Sequence, residues 1–96
     1  PRMWLTEFGW PGSRRAAGAY HLDFAQQASD LRAAYALVRR DAALRFVQAA
    51  FWFNLRDYAP GYQNPDPEFF GHYGLLGNAF APKPAASAFR RLAAGA

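Results

Sequence analysis

Two hydrophobic rhythms divide the chain. Met3 to Phe8 (MWLTEF) is rich in β-formers and stops at Gly9, which predicts a short strand. Gly9-Trp10-Pro11-Gly12-Ser13 then breaks regular structure, and a polar, glycine-containing stretch follows to Leu22. From Asp23 the period changes. Phe24, Ala28, Leu31, Tyr35, Val38 and Ala42 recur at intervals of four and three, one apolar stripe of a helix from about Asp23 to about Ala43. Asp23 with Gln26 gives that helix a capping-box-like start. Phe46 to Leu55 (FVQAAFWFNL) is a near-continuous apolar run of strand length, the pattern of a buried parallel strand. Residues 56–73 form a long loop with three prolines, two glycines, three tyrosines and two phenylalanines. Loops of that length inside compact domains are usually functional or disordered, and the aromatic content favours function. Gly74-Leu75-Leu76-Gly77 reads as a short extended or turn element. Pro84 suits the first position of a last helix, Ala85 to about Ala94, with Gly95 as its C-cap.

The order is strand, helix, strand, loop, helix. This is an α/β pattern of two parallel strands, each followed by a helix. Two parallel strands leave open edges and uncovered apolar surface. The chain is therefore expected to belong to a larger fold or to assemble with other copies.

Composition narrows the function classes. The 96 residues allow at most one domain, and 52% hydrophobic with 19% charged residues is too apolar for a disordered chain. No apolar run reaches the ~18–20 residues of a membrane span, so no membrane partner is expected. Pro1-Arg2-Met3-Trp4 lacks a charged region followed by an apolar one, so no signal peptide is read there and the localisation stays open. The absence of cysteine removes disulfide scaffolds, thiol nucleophiles and cysteine-ligated zinc. The net charge of +4 rests on eleven basic residues, ten of them arginine, and alanine fills 21 positions. The pairs Arg14-Arg15, Arg39-Arg40 and Arg90-Arg91 are dispersed. A nucleic-acid surface gathers its cations on one face, whereas the last two pairs suit helix C-termini, so no nucleic-acid partner is expected. His21 and His72 have no metal-ligand spacing, and no phosphate-binding glycine motif occurs. Neither a metal nor a cofactor is expected.

Glu7 is the candidate for chemistry. A carboxylate at the C-terminal tip of a buried parallel strand stands where α/β folds place their reactive groups. Strand alternation sets Met3, Leu5 and Glu7 on one face and Trp4, Thr6 and Phe8 on the other. By position alone, Glu7 is equally a polar strand edge facing solvent.

Thr6-Glu7-Phe8-Gly9-Trp10 resembles the nucleophile segment of retaining glycoside hydrolases with (β/α)8 barrels, in which that glutamate closes strand seven. Phe51-Trp52-Phe53-Asn54-Leu55-Arg56-Asp57 resembles strand eight. Phe70-Gly71-His72-Tyr73-Gly74-Leu75-Leu76-Gly77 and Pro82-Lys83-Pro84-Ala85 resemble the segment that closes such barrels before the final helix. The resemblance covers essentially residues 1–96 and implies the last quarter of a barrel: strand seven to helix eight of an incomplete domain. It implies Glu7 as the nucleophile. Trp52 becomes either the floor of a sugar subsite or a core tryptophan packing under the barrel, and Trp10 either a wall of the same cleft or a loop anchor. Asn54 and Arg56 become either hydrogen-bond partners of hydroxyls or structural residues at the strand end, and Asp57 either a loop anchor or a polar subsite contact. Tyr58, Tyr62, Phe69 and Phe70 are candidate walls of distal subsites. With Trp52 inside the barrel, Gln48, Ala50 and Asn54 point inward too, and Val47, Ala49, Phe51 and Phe53 face the helices.

Retaining glycosidases use a second carboxyl group about 5–5.5 Å from the nucleophile. In this clan it is a glutamate after asparagine on strand four, and the chain has no such pair; Glu68, Asp57 and Asp66 are the remaining carboxylates near the loop. The expected partners are a carbohydrate and either the remainder of a barrel or further copies of the chain. By itself the chain is expected to be inactive. The competing readings are a non-catalytic carbohydrate-binding or structural remnant and a small basic interaction domain. Sugar, linkage and endo or exo action lie in loops beyond these motifs.

Overall fold

A computed structural model describes residues 1–14, 22–59, 61 and 70–95. The first strand, β1, spans Met3–Phe8, and the first helix, α1, spans Phe24–Arg40. A short 3₁₀ turn, Ala42–Leu44, leads into β2, Val47–Trp52. The last helix, α2, spans Pro84–Ala93. Candidate residues Tyr62, Phe69, Glu68, Asp66 and His21 lie outside the described residues.

Local chemistry sets the helix ends. The Asp23 carboxylate accepts from the Gln26 amide at 2.7 Å, satisfying one of the free N–H groups of the first turn of α1. The helix stops at Arg40, before the expected end near Ala43. Asp41 adopts an extended backbone (φ −74°, ψ 119°), and its side chain accepts from the Ala43 amide at 2.8 Å, so it starts the next turn instead of continuing the helix. Pro84 occupies the first turn of α2, and Gly95 follows its end with φ +81°.

The two strands are parallel and adjacent, joined through α1. Their register is irregular. Leu5 pairs with Ala50 and Phe8 with Trp52, so Thr6 and Glu7 together stand opposite Phe51. This bulge interrupts the expected alternation. Leu5 and Phe8 are both half-buried, and Thr6 and Glu7 are exposed between them. β2 ends at Trp52, three residues before the expected Leu55, because the chain then pairs elsewhere. Arg56 bridges to Leu76, and Leu76 bridges in turn to Pro82. The Gly74–Gly77 stretch is thus an extended connector.

The core forms between the two helices and one face of the sheet. Ala28, Leu31, Leu75, Ala85 and Ala88 are buried, with Tyr35, Trp52, Phe89 and Leu92 packed around them. Alanines at the α1–α2 contact let the helices approach closely. Gln27, beside the apolar stripe, is fully buried. Its Nε2 donates to the carbonyls of Trp10 at 2.9 Å and Gly74 at 3.3 Å, which ties α1 to the loops after β1 and β2. The Tyr35 hydroxyl donates to the Ala50 carbonyl at 3.1 Å and fastens α1 to β2. Elsewhere on the sheet, Trp4 is 62% exposed and Phe51 49%, their rings 5.9 Å apart.

Candidate active site

Past the C-terminal ends of both strands lies an open cleft of ≈ 390 Å³, lined by Glu7, Phe8, Gly9, Phe53, Tyr58, Phe70 and Tyr73. Glu7 reaches it from the bulge of β1. Gly9 lets the strand ends close up, since a Cβ there would collide with the Phe53 carbonyl oxygen. The Phe53 amide donates to the Phe8 carbonyl at 2.9 Å, extending the strand pairing by one bond. The Phe53–Asn54 peptide is cis. The Phe53 and Tyr73 rings meet edge to face with centroids 5.8 Å apart. The cleft therefore has a carboxylate, two phenols and aromatic faces. Burial pushes the Tyr73 phenol above its ordinary value of 10.0, so it stays a protonated donor.

Of the residues expected to build the site, Glu7 lines the cleft, and so do Tyr58 and Phe70. Trp52 packs with the helices instead. Its ring lies 5.9 Å from Phe8 and 5.8 Å from Trp10, and its indole N–H donates to the Tyr73 carbonyl at 3.2 Å. The expected alternation through this segment is thus corrected: Trp52 faces the helices, and Phe53 lines the cleft beside Glu7. The two-residue period itself holds, with Phe51 exposed and Phe53 in the cleft on either side of a helix-facing Trp52; what shifts is its phase, because the resemblance sets Trp52 inward. Trp10 is half-buried against Phe8 and Trp52. Asn54 belongs to the backbone seam, its amide on the Tyr73 carbonyl at 3.3 Å and its carbonyl under the Leu75 amide at 3.1 Å. Arg56 is exposed, with its guanidinium 4.8 Å over the Phe80 ring.

Asp57 sits in a polar knot next to the cleft. Its Oδ1 accepts from Lys83 Nζ at 2.7 Å and from the Gly74 amide at 2.8 Å, and its Oδ2 lies 2.9 Å from His72 Nδ1. Both Asp57 and Lys83 are buried. Burial pulls the Lys83 ammonium below its ordinary value of 10.5, and the hydrogen bond and charge of Asp57 oppose that shift. Lys83 and Phe53 both stand in segments that carry the resemblance, but neither is picked out there as a site residue. A lone lysine among ten arginines was the one available hint of the first. The second sits beside a tryptophan that drew the sugar-platform role.

No family model matches the chain, and no curated protein does. Solved structures do match. A β-glucuronidase from Faecalibacterium prausnitzii superposes with a TM-score of 0.71 over 97% of this chain and 16% of that one, at 19% identity. A family 39 glycoside hydrolase from the gut symbiont Bacteroides cellulosilyticus WH2 superposes with a TM-score of 0.62 over 92% of this chain and 16% of that one, at 28% identity. The two parallel strands and their helices match part of a (β/α)8 barrel in these glycoside hydrolases, and the chain spans 16% of the length of each.

Proposed function

We propose that the chain forms one wall of the active site of a retaining glycoside hydrolase, with Glu7 as the nucleophile. The observation that carries this reading is the exposed carboxylate at the C-terminal end of a parallel strand, opening into an aromatic-walled cleft. The likeness to segments of two glycoside hydrolases supports it.

In this reading a Glu7 carboxylate oxygen attacks the anomeric carbon as the glycosidic C–O bond breaks, giving a glycosyl ester. Water then attacks the same carbon, and Glu7 leaves as the free carboxylate. A second carboxyl group protonates the departing oxygen and later takes the proton of that water. Glu7 is the one carboxylate among the described residues that line the cleft. The acid/base group comes from further strand–helix units of a barrel, and the 96-residue chain alone does not turn over glycosides. Phe53 offers a flat face for the apolar side of a sugar ring, the role that the resemblance assigns to Trp52. The half-buried Tyr73 phenol donates toward substrate or nucleophile oxygen without titrating near neutrality. The partner is a carbohydrate. The rest of a barrel, or further copies, covers the sheet face that carries Trp4 and Phe51.

Dinitrophenyl 2-deoxy-2-fluoroglycosides test this reading, because their leaving group departs without protonation. Applied to the polypeptide of the complete open reading frame, they should leave a sugar adduct on the Glu7 peptide that Glu7→Gln abolishes. An adduct on another residue, or none across gluco, xylo and glucurono reagents, overturns the assignment.

A further inference from the structure

Lys83 occupies a position that local chemistry disfavours. It is the N-cap of α2, where a side-chain acceptor is preferred and a cation opposes the helix dipole, and it supplies no side-chain cap. It is also 4% exposed, and a buried ammonium is costly unless it is paired and hydrogen-bonded. A residue held against both preferences is held by tertiary contacts.

Those contacts reach every segment that frames the Glu7 cleft. Lys83 Nζ donates to the Gly12 carbonyl at 2.9 Å, in the loop that follows β1 and Glu7. It donates to Asp57 Oδ1 at 2.7 Å, in the segment after β2 and Phe53, and to the His72 carbonyl at 3.1 Å, next to Tyr73. It also lies 5.6 Å over the ring of Phe24, at the start of α1. The three N–H bonds of the ammonium match three acceptors, so none is left to hold a ligand. Asp57 carries the linkage onward by accepting from the Gly74 amide, where a Cβ would collide with the Asp57 backbone nitrogen. The next links are the Tyr58 amide on the Gly71 carbonyl at 3.0 Å and the Asn54 amide on the Tyr73 carbonyl at 3.3 Å.

We infer that Lys83 is a positioning residue of the Glu7 cleft: with Asp57 it forms a buried charge clamp that holds the 70–76 segment, and with it Tyr73 and Phe70, against Phe53 and the end of β1. It touches no substrate. Its effect is to fix the aromatic wall at one distance from the carboxylate. The inference rests on the Glu7 reading only for what the cleft binds.

Nuclear magnetic resonance of the polypeptide of the complete open reading frame, with its aromatic rings and Gly74 selectively labelled, carrying Lys83→Met or the double change Asp57→Leu/Lys83→Met, tests it. The single change leaves a buried carboxylate without its cation. The double change replaces the pair by apolar groups and should restore much of the thermal stability. A role in stability alone would then restore the cleft as well. The clamp predicts that both variants keep the core contacts Tyr35–Phe89 and Phe8–Tyr35 and lose the Phe53–Tyr73 cross-peak, and that Lys83→Met, which leaves the Asp57 acceptor in place, exchanges the Gly74 amide about tenfold faster or more. Should the single variant not fold, the double variant decides alone. A folded variant that retains the Phe53–Tyr73 contact overturns the inference. Failure of fluoroglycoside labelling with the clamp intact counts against the Glu7 reading and not against Lys83.

Discussion

Gly9 is the residue on which the approach of the strand ends depends. Any Cβ there meets the Phe53 carbonyl oxygen, a backbone atom that cannot swing aside. Gly9→Ala should therefore cost about 1–3 kcal/mol, the usual range for overpacking, and should move Phe53 away from Glu7. Urea unfolding and the Phe53 ring resonances measure the two effects together. A neutral Gly9→Ala with unshifted Phe53 signals contradicts the described packing. At this scale Glu7 was legible, because a charged residue among β-formers is conspicuous. Phe53 was not, because the resemblance gave the inward position to Trp52 and so shifted the phase of the alternation by one residue. The fully buried Gln27 was hidden as well. It borders the apolar stripe of α1, and its burial depends on two loop carbonyls distant in sequence.

At the scale of elements, helix starts and strand identities followed from local rules, and the places where elements stop did not. Asp41 can extend a helix or cap a new turn, and the 3₁₀ turn before β2 selects the second. Tyr35 joins α1 to β2, and burial pushes its phenol above 10.0. A phenol whose folded value exceeds its unfolded value keeps its proton more readily when folded. Its stabilisation is complete below pH 10 and is lost as pH rises through the raised value. Tyr35→Phe removes both that term and the bond to Ala50. The native chain should be more stable than Tyr35→Phe by about 1 kcal/mol below pH 10, with the difference shrinking above it. The lowered Lys83 acts in the opposite sense, adding stability as pH climbs toward 10.5, but it is common to both proteins and cancels. Unfolding curves from pH 8 to 11 check the sign. A difference that grows above pH 10 would refute it.

At the scale of the molecule, the sheet is covered on one side. Among the described residues, Trp4 and Phe51 form an exposed aromatic pair, and both edges of the two-stranded sheet are unpaired. The 96-residue chain alone should therefore self-associate, and Trp4→Lys with Phe51→Lys should shift sedimentation toward smaller species. A monodisperse native monomer across concentrations from micromolar to millimolar runs against that expectation.

The sequence by itself determined the α/β order, the start of α1 and the place of Pro84 at the start of α2, the parallel character of the strands and the position of Glu7 at a strand tip. These depend on period, capping chemistry and residue type over a few neighbours. Tertiary structure alone decided which aromatic faces Glu7, why Asp57 is buried and what the single lysine does. Each of those depends on contacts between residues far apart in the chain: Lys83 with Gly12, Gln27 with Gly74, Trp52 with Tyr73. Local periodicity carries no record of such pairings, because they exist only once the loops after both strands have closed on the last helix.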